Sequence, residues 1–224
     1  MAEAIALEAA APEAAEKKNV VVFKKPYKFE GKEYTELDLS GMERLTVQDV
    51  IDIQRELIEQ GNAAALGAIE ATTGYAMALA TKACRKPVEL FKLMPRKTME
   101  QVQEAILRAL AGSQPREQAE AQIKAHVVKF DQPYIYDGKK ADIKGQTFES
   151  VDLSGVGDLC TMHEITAENR MAAEGFSPLN KDRNYLHAVI VASQATGLPE
   201  DFFTGLPVCE AAKLRNTVDS GFFE

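Results

Sequence analysis

Tryptophan is absent from this chain of 224 residues, and aromatic residues make up only 7% of it. Stacking platforms for bases or sugars are therefore poorly supplied. Positive charge is also short: 26 Lys and Arg stand against 34 Asp and Glu, a formal net charge of -8. Binding phosphates needs a basic footprint, so nucleic acid is disfavoured as a partner, while basic protein surfaces are not. Cysteine occurs three times, at Cys84, Cys160 and Cys209. That odd number argues against a disulfide framework and for a reducing compartment. No apolar run approaches the length of a membrane span, so no membrane association is expected. The Ala/Glu-rich start lacks the basic region of a signal peptide, and an intracellular, soluble protein is expected. Hydrolase nucleophile motifs of the G-x-S-x-G or S-x-x-K kind are missing, as are Gly-rich phosphate loops.

What is present is a repeat. Pro26, Phe29, Gly31, Tyr34 and Leu37 to Gly41 return as Pro133, Tyr136, Gly138, Phe148 and Val151 to Gly155. Leu45, Ile51 and Gly61 return as Leu159, Ile165 and Gly175, with no gap from Asp38 onward. Pro87, Phe91 and Pro95 return as Pro199, Phe203 and Pro207. A repeat this long implies two copies of one folded unit. Hydrophobic content of 46% gives each unit, of ordinary domain size, enough to bury a modest core.

The chain divides into a low-complexity leader (1–18), a first repeat (19–110), a linker (111–125) and a second repeat (126–224). In the first repeat, Val20 to Phe23 read as a strand that Pro26 limits or places at an edge. Glu30-Gly31 is a turn signal, and Tyr34 to Leu39 resume the alternation, which makes a β-hairpin. Thr46 to Gln60 is helical, with Thr46 as N-cap, Asp49 at the positive end and Gly61-Asn62 as the stop. A second helix spans roughly Ala63 to Lys86, with a break signalled at Thr72-Thr73-Gly74. Pro87 opens a short helix ending at Pro95. Thr98 and Gln101, spaced as a capping box, open the last helix. Within the linker, Arg116 to Ala125 has helical composition.

The second repeat follows the same plan. Val127 to Phe130 form its strand and Asp137-Gly138 its turn, with seven extra residues before Phe148. Tyr185 pairs with Tyr75, and Tyr185 to Gln194 is a strongly apolar helix. The predicted class is α+β, mostly α: two tandem repeats, each an N-terminal β-hairpin followed by three to four helices.

Chemistry-bearing patterns are sparse. Cys160-x-x-His163 followed by Glu164 lacks a second ligand pair at zinc-site spacing, so no metal is assigned. Asp-Leu-Ser-Gly occurs at 38–41 and 152–155, where a strand-to-helix turn wants small polar residues anyway. Carboxylates fall on predicted solvent faces. Apolar residues, Gly and Pro are kept between the copies, whereas charges are not, which favours a shared scaffold over a shared active site. No catalytic residue, cofactor or metal is therefore expected.

The stretch Ala192 to Pro199, then Phe202-Phe203, Leu206-Pro207 and a closing helix, resembles bacteriophage tail assembly chaperones. The first repeat carries a weaker version in Ala80 to Cys84, Pro87, Phe91 and Met94-Pro95, and the opening strand-Pro-hairpin from Val21 to Leu39 is similar to the start of that family. Here the unit is doubled in tandem. The resemblance implies a non-enzymatic protein of the bacterial host's cytoplasm, not expected in the mature virion. It implies binding to the tape-measure protein, which it keeps soluble until tail-tube subunits polymerise. The tail-tube protein and a second copy of the chain are further candidate partners. A structural tail component, an adaptor or baseplate-associated protein, is the alternative. Met77, Met94, Met99, Met162 and Met171 suit an adaptable surface. Under this reading partner contact is expected at Tyr75, Met77, Leu79, Phe91, Met94, Tyr185, Val189, Phe202, Phe203, Leu206, Phe222 and Phe223.

Overall fold

The computed structural model describes residues 19–61, 69–111 and 116–220. The leader and the terminal Phe222 and Phe223 lie outside them. The first repeat runs β1 (Val20–Phe29), β2 (Lys32–Asp38), α1 (Val47–Glu59), α2 (Thr73–Cys84), α3 (Val88–Lys92) and α4 (Arg96–Leu110). Helix α5 (Arg116–Lys124) leads into the second: β3 (Val127–Ile135), β4 (Thr147–Asp152), α6 (Thr161–Ala173), α7 (Tyr185–Thr196), α8 (Glu200–Thr204) and α9 (Val208–Ser220). The protein is thus mostly helical α+β, with two antiparallel hairpins that each precede a set of helices. No helix among the described residues is long and apolar enough to cross a membrane.

The hairpins show why each repeat carries its proline. The β1–β2 register breaks between Val22 and Tyr27, and the β3–β4 register breaks between Lys129 and Tyr134. Pro26 and Pro133 sit inside those breaks, where a residue without an N–H costs no ladder bond. Glu30 and Gly31 both have positive φ (47° and 76°), as a tight two-residue turn between twisted strands requires. In the second hairpin the turn is not at Asp137-Gly138. Tyr136 and Gln146 continue the ladder (Tyr136 N to Gln146 O, 3.0 Å), and the chain reverses over 141–145. The extra residues of this copy make that longer loop. Tyr136 is buried in it, donating its hydroxyl to Asp201 Oδ1 at 2.8 Å and accepting from Lys140 N–H at 3.0 Å.

Asp-Leu-Ser-Gly is built identically twice. Asp38 Oδ1 accepts from Ser40 N–H, and Asp152 Oδ1 from Ser154 N–H, each at 2.8 Å. The following leucines, Leu39 and Leu153, are buried and donate their N–H groups to Asn19 O and His126 O at 2.8 and 2.7 Å. Gly41 then lies against the end of α2 and Gly155 against the end of α7. A Cβ at Gly41 would overlap the Ala83 carbonyl oxygen, and one at Gly155 would stand 2.7 Å from the Ala195 carbonyl oxygen. The motif is a turn that seats each hairpin on a helix end.

Several boundaries differ from the sequence expectation, each for a local reason. Thr72 caps α2, its Oγ1 accepting from Tyr75 N–H at 3.1 Å, as Asn184 caps α7 by accepting from His187 N–H at 3.1 Å. The two caps stand at the same separation as Pro87 and Pro199. Tyr75 therefore matches His187 rather than Tyr185, a shift that residue identity alone disguises. Thr98 does not open α4: Pro95 precedes the helix, and its carbonyl accepts from Thr98 and Met99 N–H. Gln101 Oε1 instead accepts from Lys24 N–H at 3.5 Å. Thr46 precedes α1 as expected, and it forms a capping box that the sequence reading placed elsewhere, Asp49 Oδ2 accepting from Thr46 N–H at 3.0 Å. The linker contains α5, which packs on α9 and β3.

One hydrophobic core contains side chains of both repeats. Helix α1 packs against α7, α8 and α9 of the second repeat, and α4 also meets α9.

Candidate partner-binding surface

Nine of the twelve expected contact residues are packing residues. Tyr75, Leu79, Phe91, Met94, Tyr185, Val189, Phe202, Phe203 and Leu206 are all buried. Phe202 sits at the centre of an aromatic cluster, with ring centroids of Tyr134, Phe148 and Phe203 at 5.2, 4.8 and 5.1 Å. Their spacing is that of the inward stripe of short helices, so apolar character there supplies core. Met77 remains partly exposed, and Phe222 and Phe223 lie outside the described residues.

Two repeat-to-repeat contacts organise the surface. At the first, Val47 N–H donates to Leu206 O and Val208 N–H to Leu45 O, both at 2.9 Å. Thr46 and Pro207 thus face each other as an isolated antiparallel bridge. At the second, the Glu70 carboxylate accepts from the Tyr185 hydroxyl and from Arg215 Nη1, and Arg215 lies 4.9 Å from the centre of the Tyr185 ring. Burial alone would raise the Glu70 carboxyl, but Arg215 and the Tyr185 hydroxyl outweigh it and hold it below its ordinary value. No local signal announces this network, because Glu70 and Arg215 are 145 residues apart. Gln54 and Arg55 of α1 reinforce the junction: Gln54 Nε2 donates to Arg183 O at 3.3 Å, and Arg55 pairs with Glu174 at 2.8 Å.

Two open grooves flank the molecule. The first, about 410 Å³, lies beside the start of α6 and is lined by Leu159, Cys160, Thr161, Glu164, Lys181, Asp182, His187 and Asp219. Lys181 Nζ bridges Glu164 Oε1 and Glu168 Oε1 at 2.5 and 2.7 Å, and His187 Nε2 lies 3.2 Å from Glu164 Oε1. Burial lowers the His187 pKa, a shift that Glu164 only partly opposes. Burial also pushes Asp219 up to about 7, with Asp182 adding to the effect and Arg215 opposing it. The second groove, about 480 Å³, lies between α2, α3 and α4 and is lined by Thr73, Met77, Phe91, Lys92, Met94, Arg96, Met99, Glu100 and Gln103. Three methionines give it an adaptable apolar floor under a partly basic rim.

Cys160 and His163 form a helix start rather than a ligand pair, with Cys160 N–H donating to His163 Nδ1 at 3.1 Å. Asp131, Cys209 and Glu210 bring their ligand-type atoms within 4.8 Å of one another. Lys213 already supplies the positive charge there, 2.5 Å from Asp131 Oδ1 and 2.9 Å from Glu210 Oε2. Burial, then the carboxylates Glu210 and Asp131, pushes the Cys209 thiol up to about 12, which makes it a poor metal ligand. The cluster ties β3 to α9. It also shows that not every carboxylate lies on a solvent face, since Glu210 is 1% exposed. No protein-family model, curated protein or solved structure matches this chain.

Proposed function

We propose that the protein is a non-enzymatic bacteriophage tail assembly chaperone, which binds the tape-measure protein in the host cytoplasm and keeps it soluble until the tail tube assembles. The observation that carries this reading is the structural duplication. The residues that bear the resemblance to that family, Pro87, Phe91 and Pro95 and then Pro199, Phe203 and Pro207, occupy matching places around α3 and α8. A chain that presents one unit twice suits a long helical partner with repeated apolar stripes, because two linked units raise the effective concentration on it. Exposed large apolar side chains occur in both repeats, Leu93 and Leu107 in the first and Met162, Ile165 and Leu179 in the second. Single exposed apolar side chains are ordinary, so the support rests on the duplication and not on any one of them.

The test is co-expression with the long helical protein encoded beside this chain in a tail gene cluster. The expected result is that the tape-measure protein becomes soluble and co-purifies with several copies of this chain. If the partner stays insoluble while this chain is folded, the reading fails. Recovery of the chain from purified particles would instead identify a structural tail component.

A further inference from the structure

The backbone pairing between repeats uses one edge of each, and among the described residues the matching edges carry no such pairing. Leu45 to Val47 at the start of α1 pair with Leu206 to Val208 at the start of α9. The counterparts of Leu45 to Val47 are Leu159 to Thr161, at the start of α6. The counterparts of Leu206 to Val208 are Met94 to Arg96, at the start of α4. Among the described residues, Leu159 O, Thr161 N–H, Met94 O and Arg96 N–H make no backbone hydrogen bond, although their four counterparts all bond across the junction.

Burial follows the same division. Val47 and Ile51 of α1 are 0% and 1% exposed, while at their counterparts in α6 Thr161 is exposed and Ile165 is 41% exposed. Val208 is 4% exposed, and its counterpart Arg96 has a side chain 92% exposed. The two grooves lie at these edges. In the second groove Thr73 is exposed and Met77 partly exposed where their counterparts Tyr185 and Val189 are buried, whereas Phe91 and Met94 are buried like their counterparts Phe203 and Leu206 and form its floor.

We infer that the chain associates head to tail with further copies of itself, the Leu159–Thr161 edge of one copy pairing with the Met94–Arg96 edge of the next. The next copy would donate Arg96 N–H to Leu159 O and receive Thr161 N–H on Met94 O, repeating the internal junction. Charge favours this occupant. Glu164, Asp182 and Asp219 outnumber Lys181 in one groove, whereas Lys92 and Arg96 outnumber Glu100 in the other. Val50 of the internal junction is replaced by Glu164 and Val208 by Arg96, so the contact between copies is more polar than the contact within a copy, as fits reversible association of a folded monomer. Such a contact is heterologous: it closes into a ring or extends as a filament, and each copy adds two units to the array. This inference does not depend on the identity of any other partner.

Cross-linking reads the register directly. Thr46 and Pro207 are a non-hydrogen-bonded antiparallel pair, whose Cα atoms stand roughly 4.5 Å apart in general, within disulfide reach. The corresponding pair between copies is Cys160 and Pro95. Full-length Pro95→Cys protein, treated with oxidised glutathione, is expected to give a ladder of disulfide-linked multimers that disappears when Cys160→Ser is added. Sedimentation velocity gives the second readout. Wild-type mass is expected to rise above 24.6 kDa with concentration, as an open series or to one ring size. Thr161→Pro keeps α6, since proline is tolerated at the first helical position, but removes the donated N–H, so association is expected to weaken about tenfold. A mass of one chain up to millimolar concentration, a ladder that survives Cys160→Ser, or association indifferent to Thr161→Pro in a folded variant would each overturn the inference.

Discussion

Val47 and Leu206 belong to different repeats, yet the Val47 N–H donates to the Leu206 carbonyl at 2.9 Å, and both side chains are fully buried. Together with Val208 and Leu45 they make a short antiparallel pair that joins the two units edge to edge. The repeats consequently share one core, and independent unfolding is not expected. Leu206→Ala should cost about 2–4 kcal/mol through the cavity it leaves. Urea unfolding followed by circular dichroism and by tyrosine fluorescence should give coincident transitions, both shifted by the variant. Two separable transitions would show that the junction does not couple the repeats.

The Glu70–Arg215–Tyr185 network makes a second prediction. Removing Arg215 leaves a half-buried carboxylate facing a tyrosine hydroxyl, so Arg215→Ala should destabilise on the order of 3 kcal/mol. The double variant Glu70→Gln with Arg215→Met should recover part of that loss, and a double-mutant cycle measures the coupling. Glu70 is held below its ordinary value in the folded protein. Its stabilisation is therefore present above the unfolded-state value and lost as pH falls through the folded one. Glu70→Gln should flatten the acid limb of the stability profile.

Two glycines provide an internal comparison. Gly41→Ala drives a methyl into the Ala83 carbonyl, and Gly155→Ala places one 2.7 Å from the Ala195 carbonyl oxygen. Both neighbours are backbone and cannot swing away. Thermal denaturation should show both variants destabilised, by about 1–3 kcal/mol, with Gly41→Ala the worse. Equal, negligible effects would mean that the turns are not seated on the helix ends.

Asp219 titrates in the opposite sense to Glu70. Its pKa is raised to about 7 from the ordinary 3.8, because burial disfavours the charged form and Asp182 adds repulsion. Between those values the folded protein binds the proton more tightly than the unfolded chain, so this group costs stability as pH rises from 4 toward 7. Asp219→Asn should raise stability at pH 8 by about 1 kcal/mol, the gain being limited by partial exposure, and leave it nearly unchanged at pH 4. Chemical denaturation at the two pH values distinguishes this from a uniform effect.

Local physics made much of the scaffold legible. Glu30-Gly31 specifies its turn because tight hairpins need positive φ, and Thr46 with Asp49 specifies a helix start because exposed N–H groups need acceptors. Asp-Leu-Ser-Gly, read as a turn and not a catalytic pair, is one in both copies. The pairing of Tyr75 with Tyr185 failed because matching side chains is a weaker guide than matching caps. The partner surface was the least legible feature: Tyr75, Phe91, Phe202 and Phe203 carry the apolar character of a docking face, and an inward stripe and an outward one look the same in one dimension.

The sequence by itself determined that there are two units, that each begins with a proline-bearing hairpin, and where several helices lie, such as Thr46 to Gln60 and Tyr185 to Gln194. The hairpins and helices depend on residues within a few positions of one another, and the duplication on like residues that recur at a constant spacing. Only the tertiary structure decided which copy of each surface is used. Val47 and Thr161 hold the same place in their repeats, but one is sealed by the other unit and one faces an open groove. That difference arises because a contact joining unlike edges satisfies one edge of each repeat and leaves the other edge of each unpaired.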